Sequence, residues 1–331
     1  MENRTKVSGA PPRMMNAIIA GFNVAANNLA LLVLPAAIDL LLWLGPQIRI
    51  KQALLPLFTE TSLYLQQANS SDLAARIRGA GEIWNQILDS FNLLGLVRTI
   101  PIGVPSLMAS AGAGDTPLGA AWIIEVNNLG NAVIIWLAVL AIGLIAGSLY
   151  FHLLAQATAE TKDALEIGAF IKKIGQAFGL SLSFFILLAI LAIPALLLVS
   201  VVALINPMLG DFAMMFAGFL LIWILFPLVF TPHAVFSGKN NLVVSVMTSV
   251  RLVRYFLPGT GIFIIVGMVF TQGMDILWRV PPTSSWMTLV GILGHAFIYT
   301  AIFAASFVYF RGGLRWMVES TMPARQQEIN T

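Results

Sequence analysis

The sequence FGLSLSFFILLAILAIPALLLVSVVALI, residues 178–205, has no charged side chain along its whole length. A helix of about 20 mostly apolar residues crosses the roughly 30 Å hydrocarbon core of a bilayer. This run is longer than that and contains Pro194, so we expect its helix to be tilted or kinked. The sequence therefore predicts a membrane-spanning helix here, and the rest of the chain can be judged against it.

Five other apolar runs resemble this one, although the first is short for a span. We place the six spans at Asn28–Leu44, Leu129–Leu154, Phe178–Ile205, Phe212–Phe230, Phe256–Leu277 and Trp286–Phe310. Charged residues make up 10% of the chain, against about 25% in soluble domains. We therefore predict an all-α polytopic membrane protein with six transmembrane helices, cytoplasmic amphipathic elbow helices and a helical extracytoplasmic loop.

The positions of Lys and Arg predict the orientation. Connections rich in Lys and Arg stay in the cytoplasm. Twelve of the 18 basic residues fall in four groups that alternate along a six-span chain: Arg4, Lys6, Arg13; Lys162, Lys172, Lys173; Lys239, Arg251, Arg254; and Arg311, Arg315, Arg325. We expect a cell-membrane protein with both termini in the cytoplasm.

This orientation divides the chain into five parts. Residues 1–27 form a cytoplasmic arm and an interfacial helix, and residues 28–44 form the first span. Residues 46–127 form the extracytoplasmic cap, residues 128–310 a five-span bundle, and residues 311–331 a cytoplasmic tail. The connections place further elbow helices near residues 162–177 and 241–255.

The elbow helices are predicted from three amphipathic stretches, each just before a span. Apolar residues recur at helical spacing in each of them, which indicates one apolar helix face. Such helices can lie in the headgroup layer, or they can be ordinary ends of spans. The apolar positions are Met15, Ile18, Ile19, Phe22 and Ala26; Ile167, Phe170, Ile171, Ile174 and Phe178; and Val243, Val246, Met247 and Val250. The chain then contains three copies of an elbow helix followed by a pair of spans.

The long outer loop is predicted to be helical at residues 52–66 and 72–91. The segment from Phe91 to Met108 is apolar, but Pro101, Gly103 and Pro105 interrupt it too often for a span. We expect it either to dip into the outer leaflet or to pack on the bundle. In the second span, Gly143-Leu-Ile-Ala-Gly147 permits close approach of another helix.

Ionisable side chains inside a span are expensive and therefore mark candidate sites. Asp39 in the first span and His295 in the sixth lie at similar depths from the outer side. We predict that they pair if these spans are neighbours. The pair would serve proton-linked function, or it would only fix helix packing. Asp275, near an outer end, is expected to be solvated.

Four basic residues beside the predicted elbow helices are candidate contacts for lipid headgroups. Cations at this level attract anionic lipid. They are Lys172, Lys173, Arg251 and Arg254. The predicted partners are thus the bilayer, with anionic lipid at the cytoplasmic face, and a further membrane protein. The net charge of +3 is too small to indicate nucleic acid.

The segment TPHAVFSGKN, residues 231–240, is followed by VSVMTSVRLVR, residues 244–254, and then by a span. This order resembles bacterial six-helix membrane proteins, including the membrane-domain-like regions beside glycerophosphodiester phosphodiesterases. The resemblance covers the last four spans and implies the six-helix fold. The long outer loop departs from that compact pattern, and no phosphodiesterase catalytic domain is present, so the resemblance implies no such activity.

The sequence shows no catalytic, nucleotide-binding or metal-binding motif, and with no Cys it has no thiolate nucleophile. We expect no cofactor. The leading hypothesis is a non-enzymatic membrane protein: a scaffold, an accessory subunit or a lipid-interacting factor. The alternative is a transporter or permease component, which would need a polar cavity lined from several spans. An intramembrane enzyme ranks last.

Overall fold

The computed structural model describes residues 11–56, 71–112, 114–160, 166–238 and 240–321. The predicted arm before residue 11, the tail after residue 321, Lys162, Lys239 and residues 57–66 of the first loop helix lie outside these ranges. The described chain is all-α apart from one pair of short parallel strands. The all-α polytopic class is therefore confirmed.

The helices and strands are named here in chain order. The helices are α1 Met14–Asn27, α2 Ala30–Leu44, α3 51–56, α4 Ser71–Ser90, α5 Leu129–Ala157, α6 Ile167–Ile205, α7 Pro207–Leu225, α8 Thr231–Ser237, α9 Leu242–Tyr255, α10 Leu257–Trp278 and α11 Thr288–Thr321. The strands are β1 Gln47–Arg49 and β2 Ile123–Glu125. We call the side of the bundle where α2 ends and α5 begins the cap side. The opposite side, where α1 begins and α11 ends, is the terminal side.

Five helical stretches are long and apolar enough to cross a membrane: α5, α6, α7 with α8, α10 and α11. Helices α1 and α2 together make a sixth, bent by 79° between Asn27 and Ala30. The predicted first span is thus the second half of a broken span. Helix α11 is central: 61% of its most apolar stretch is buried, against 6% for α6 and none for Pro207–Ser237.

Helix α1 packs along α11 and forms part of the bundle. A Cβ at Gly21 would lie 2.3 Å from the carbonyl oxygen of Ala301, so the two backbones are in direct contact. The ring of Phe22 meets that of Phe297 edge-on. The fully buried residues of α1 are small, whereas the predicted apolar face is only partly in contact: Phe22 and Ile18 pack on neighbouring residues, and Met15 and Ile19 are more than half exposed. In lipid an apolar side chain needs no burial, and small residues allow helices to approach closely.

Helix α9 repeats this arrangement 228 positions later. The buried residues Ala17, Gly21 and Ala25 of α1 correspond to Ser245, Ser249 and Val253 of α9. Each helix ends at a residue with nearly the same backbone angles, φ −132° and ψ 64° at Asn28, φ −134° and ψ 55° at Phe256. The structure therefore supports a structural repeat in the first and third predicted copies.

The second predicted elbow is not a separate helix, because α6 runs unbroken from Ile167 to Ile205, through Pro194. At the third copy Pro258 stands at the start of α10. Proline there disfavours helical geometry in the residue before it, which helps to end the preceding helix. No proline stands at the corresponding point of α6, so the elbow and the span continue as one helix.

On the cap side, strands β1 and β2 pair in parallel and hold the two ends of the loop together. The predicted second loop helix is confirmed as α4. Residues 92–108 then turn back into the bundle, with Ile102 and Leu107 fully buried. We call residues 92–108 the re-entrant loop. It occupies the groove at Gly143 and Gly147, where the sequence predicted close approach of another helix: added Cβ atoms would meet the carbonyl of Val97 at 2.4 Å and the backbone of Gly103 at 2.8 Å.

Candidate functional site

Asp39 and His295 lie on the neighbouring helices α2 and α11, but each is hydrogen-bonded to another group. The direct pair predicted from the sequence does not form among the described residues. The two groups remain close enough to interact electrostatically. Spacing along the spans identified two buried polar residues of one region correctly and assigned them the wrong partners.

His295 pairs with Asp275, which the sequence had placed in solvent. The distance between Nδ1 of His295 and Oδ1 of Asp275 is 2.7 Å, and both residues are buried. Helices α10 and α11 are antiparallel neighbours joined by residues 279–287, so residues close to that connection meet. The 279–287 connection is held against α2 at this end of the bundle: the indole Nε1 of Trp43 donates to the carbonyl of Thr283 at 2.7 Å.

A hydrogen-bonded chain leads from this pair into the membrane interior. The hydroxyl of Tyr299 donates to Oδ2 of Asp275 at 3.1 Å, and Nε2 of Gln272 donates to the Tyr299 hydroxyl at 3.2 Å. Nε2 of His295 is buried and has no hydrogen-bond partner. We call His295, Asp275, Tyr299 and Gln272 the polar chain. It can orient a hydrogen-bonding group or relay a proton.

Asp39 anchors the re-entrant loop. Its carboxylate accepts hydrogen bonds from the hydroxyl of Ser106 at 2.5 Å and from the backbone N–H groups of Leu107 at 3.1 Å and Met108 at 2.9 Å. Arg279, which follows the last residue of α10, also binds this segment and donates to the carbonyl of Leu107 at 3.0 Å. The role of Asp39 in this geometry is therefore structural: it holds the re-entrant loop against α2.

A chamber of about 740 Å³ lies between the α6–α7 hairpin and helices α8 to α11. Most of its wall is apolar. Gln272 and Tyr299 of the polar chain line it, and so do Arg98 and Pro101 of the re-entrant loop. Ligand pockets commonly have volumes of about 300–1,000 Å³, with apolar walls and a few polar groups. Among the described residues, this chamber has the properties of a site for an amphiphile.

The chamber faces the lipid because the hairpin leans on the bundle near one end. Three of the four buried residues of α6, Ala177, Leu180 and Ser181, lie in the part nearest the terminal side, and Val199 lies further along the helix. Further along, Gly210 of α7 packs on Ala203 within the hairpin, and Leu204 is 85% exposed. The gap between hairpin and bundle thus lies on the cap side of these contacts.

The polar floor of the chamber is formed by His233 and Ser306, 2.6 Å apart between Nε2 and Oγ. The Ser306 hydroxyl also donates to the carbonyl of Phe303 at 2.7 Å. The ring of His233 is buried against Phe307.

Arg98 is the functional candidate that reasoning from the sequence missed. It is not one of the twelve basic residues from which the orientation is predicted. A signal was available, because Arg98 is a lone cation between the apolar runs Leu93–Val97 and Ile100–Val104. Since the sequence predicted that this segment either dips into the outer leaflet or packs on the bundle, Arg98 was a candidate intramembrane charge.

The four predicted headgroup contacts lie in α6 and α9, near the terminal side. Lys172, Arg251 and Arg254 are exposed, whereas Lys173 is partly buried and its Nζ donates to the carbonyl of Phe236 at 2.9 Å. Contact with lipid stays a prediction for all four. Lys173 also lines a second cavity.

This second cavity, of about 820 Å³, opens on the terminal side. Its Arg311 donates to the carbonyl of Ala155 at 2.6 Å and so satisfies the end of α5. Arg315 donates to Glu160 at 2.6 Å, and this bond lowers the pKa of the exposed Glu160 carboxyl. These cations thus have structural partners already.

Among the described residues, no group of three or more His, Asp or Glu is arranged to hold a metal ion. No protein-family model, curated protein or solved structure matches the chain. The functional argument therefore rests on the chamber and the groups that line it.

Proposed function

We propose that this integral membrane protein is a non-enzymatic lipid-interacting factor that holds a membrane amphiphile in the chamber. The observation that supports this is the chamber itself: about 740 Å³ of mostly apolar space beside a lipid-facing gap. An apolar chain can enter from the bilayer without crossing water. The roles of scaffold and accessory subunit stay predictions, and the exposed faces of the hairpin are compatible with either.

The proposal is tested by filling the chamber. Ser183 on α6 lines it, so Ser183→Trp places an indole in the space available to a ligand. Ala189 is exposed on the same helix and does not line the chamber. Ala189→Trp is therefore the matched control, with the same incoming side chain on the same helix.

Retained lipid would be counted by native mass spectrometry after extraction into lipid nanodiscs. We expect wild type and Ala189→Trp to keep at least one lipid per chain, and Ser183→Trp to keep several-fold less. A wild-type protein without bound lipid, or equal retention in the two tryptophan variants, would refute the proposal.

The second candidate is a transporter or permease component. The polar chain beside the chamber favours it, because a broken span and a re-entrant loop surround buried ionisable groups, as in many transporters. Proton entry into proteoliposomes that contain a pH-sensitive dye would be followed under an imposed potential. Transport predicts a flux that Asp275→Asn abolishes, whereas a pure lipid-binding protein shows no flux in either form.

A further inference from the structure

The backbone beside Arg98 lies level with the midpoint of helix α5. The carbonyl of Val97 lies against Gly143, which is the midpoint of α5, Leu129–Ala157. At about 1.5 Å per residue, Gly143 is roughly 21 Å from either end of that helix. Arg98 follows directly after Val97, and it lines the chamber between the hairpin and the bundle.

The charge of Arg98 has no counter-ion in the part of the chain that the structure describes. Its guanidinium forms no hydrogen bond or ion pair there, and the side chain is exposed toward the chamber. Arginine stays protonated in proteins. A charged side chain at the bilayer centre is unfavourable and pairs with an opposite charge, or it faces water.

The acidic groups of this region are already engaged. Asp275 accepts hydrogen bonds from His295 and Tyr299, and Asp39 accepts three from the re-entrant loop. Tyr299 and Gln272 line the same chamber as Arg98. A cation thus stands at one wall of an apolar space, with amide and hydroxyl groups of the polar chain beside it.

We propose that the chamber selects an anionic lipid from the surrounding bilayer, with the anionic group held by Arg98 and an apolar chain along the hairpin. Charge complementarity identifies the occupant: Arg98 supplies the positive charge, Gln272 and Tyr299 supply neutral hydrogen-bonding groups, and the remaining wall suits hydrocarbon. Arginine is well suited to phosphate and carboxylate oxygens, because its planar group binds two of them at once. This inference rests on the proposed lipid-binding function.

The test measures which lipid stays bound. Full-length protein is reconstituted in nanodiscs of phosphatidylglycerol and phosphatidylcholine in equal amounts, and the bound fraction is read by native mass spectrometry. We expect wild type to be enriched in phosphatidylglycerol. Arg98→Gln should retain lipid with the enrichment about tenfold lower, as for the loss of one charge-assisted hydrogen bond of ordinary strength.

Two variants make the result specific. Arg13→Gln removes the same charge from an exposed position at the terminal side that is not one of the four predicted headgroup contacts, and it should leave the enrichment unchanged. Arg98→Lys keeps the charge and should keep most of the enrichment, even if Arg98→Gln fails to fold. Equal enrichment in wild type and Arg98→Gln, loss in Arg13→Gln to the same degree, or a wild type without preference each overturns the inference.

These outcomes are distinct from failure of the proposed function. If the chamber binds lipid without regard to charge, Ser183→Trp still lowers the total lipid while the phosphatidylglycerol fraction stays at that of the bulk. If it binds no lipid, Ser183→Trp changes nothing and both proposals fail together.

Discussion

Buried polar side chains in this protein hold chain segments in place, and partner choice decides what each can do. Asp39 accepts hydrogen bonds from the re-entrant loop, and Asp275 pairs with His295 and Tyr299. Arg98 has no such partner among the described residues and is available to a ligand. Depth along a helix can be read from sequence, which is why Asp39 and His295 were found. Hydrogen-bonding partners depend on which helices are neighbours and on what covers the helix ends. The sequence alone therefore placed Asp275 in solvent and did not identify Arg98.

Replacing Asp39 by Asn should loosen the re-entrant loop. An amide offers one oxygen, so one of the three donors now bound to the carboxylate faces an NH₂ group. A buried donor without a partner destabilises by about 1–3 kcal/mol. The midpoint of thermal unfolding in detergent should fall for Asp39→Asn and stay constant for Asp211→Asn, whose carboxylate is exposed. An equal midpoint for both would contradict the anchoring role.

The stability of variants at Asp275 should follow the number of hydrogen bonds that each substitution keeps. In Asp275→Asn, the amide carbonyl can still accept a hydrogen bond from His295. The amide NH₂ group can donate to the hydroxyl of Tyr299. Asp275→Leu leaves Nδ1 of His295 and the hydroxyl donor of Tyr299 without partners in the interior, so it should destabilise by about 1–3 kcal/mol more. Chemical denaturation in mixed micelles would order the variants, and a leucine variant as stable as the asparagine one would speak against a buried pair.

Glycines and other small residues decide how the elements pack. They form the groove in α5 for the re-entrant loop, and they form the face of α1 that meets α11. The sequence revealed the small-residue motif in α5 and the helical period of α1. It did not reveal that a loop would pack on the motif in α5. It also did not reveal that the small residues of α1 would be the fully buried ones. Both outcomes depend on lipid as the solvent.

Gly143→Ala should displace the re-entrant loop, since the new Cβ would lie 2.4 Å from a backbone oxygen that no side-chain rotation can move. Proteolysis or hydrogen exchange at residues 92–108 should increase, and the unfolding midpoint should fall. Gly175→Ala is the matched control, because nothing lies within 4 Å of its Cβ position in α6. It should be neutral or mildly stabilising, as alanine is favoured in helices; equal loosening by both substitutions would exclude the groove as the cause.

Gly21→Leu should separate α1 from α11, whereas Ala26→Leu introduces the same side chain on an exposed face of α1. Overpacking typically destabilises by about 1–3 kcal/mol, and here backbone must move. Cross-linking between cysteines at Pro12 and Gly312, which lie side by side, should drop for Gly21→Leu and persist for Ala26→Leu. Undiminished cross-linking in both would show that the glycine contact is dispensable.

At the scale of the whole molecule, the structure is a bundle built around α11, with a cap, a loosely attached hairpin and a repeated broken helix. Composition and apolar run lengths predicted the membrane class and the number of spans, because these follow from bilayer thickness alone. The unbroken α6 and the bent first span were not predicted, since helix breaks depend on single residues such as Pro258 and on packing. Sidedness rests on charge and stays a prediction.

The absence of Cys from the sequence allows sidedness to be measured with single cysteines. A membrane-impermeant maleimide should label Asp115→Cys on the cap in intact cells. Arg13→Cys and Thr321→Cys, both on the terminal side, should react only after lysis. Labelling of the two terminal positions but not the cap would reverse the proposed orientation.

The contact between α1 and α11 also sets an order of events during synthesis. Ala301 leaves the ribosome 280 residues after Gly21, roughly 15–60 s later at ordinary elongation rates. During that interval the small-residue face of α1 cannot pack on α11, which has not yet been made. The small-residue groove of α5 is an alternative surface on which α1 could pack. The re-entrant loop, made before α5, is at hand to fill that groove as soon as α5 inserts. We infer that the loop keeps the first helix available until the last one arrives.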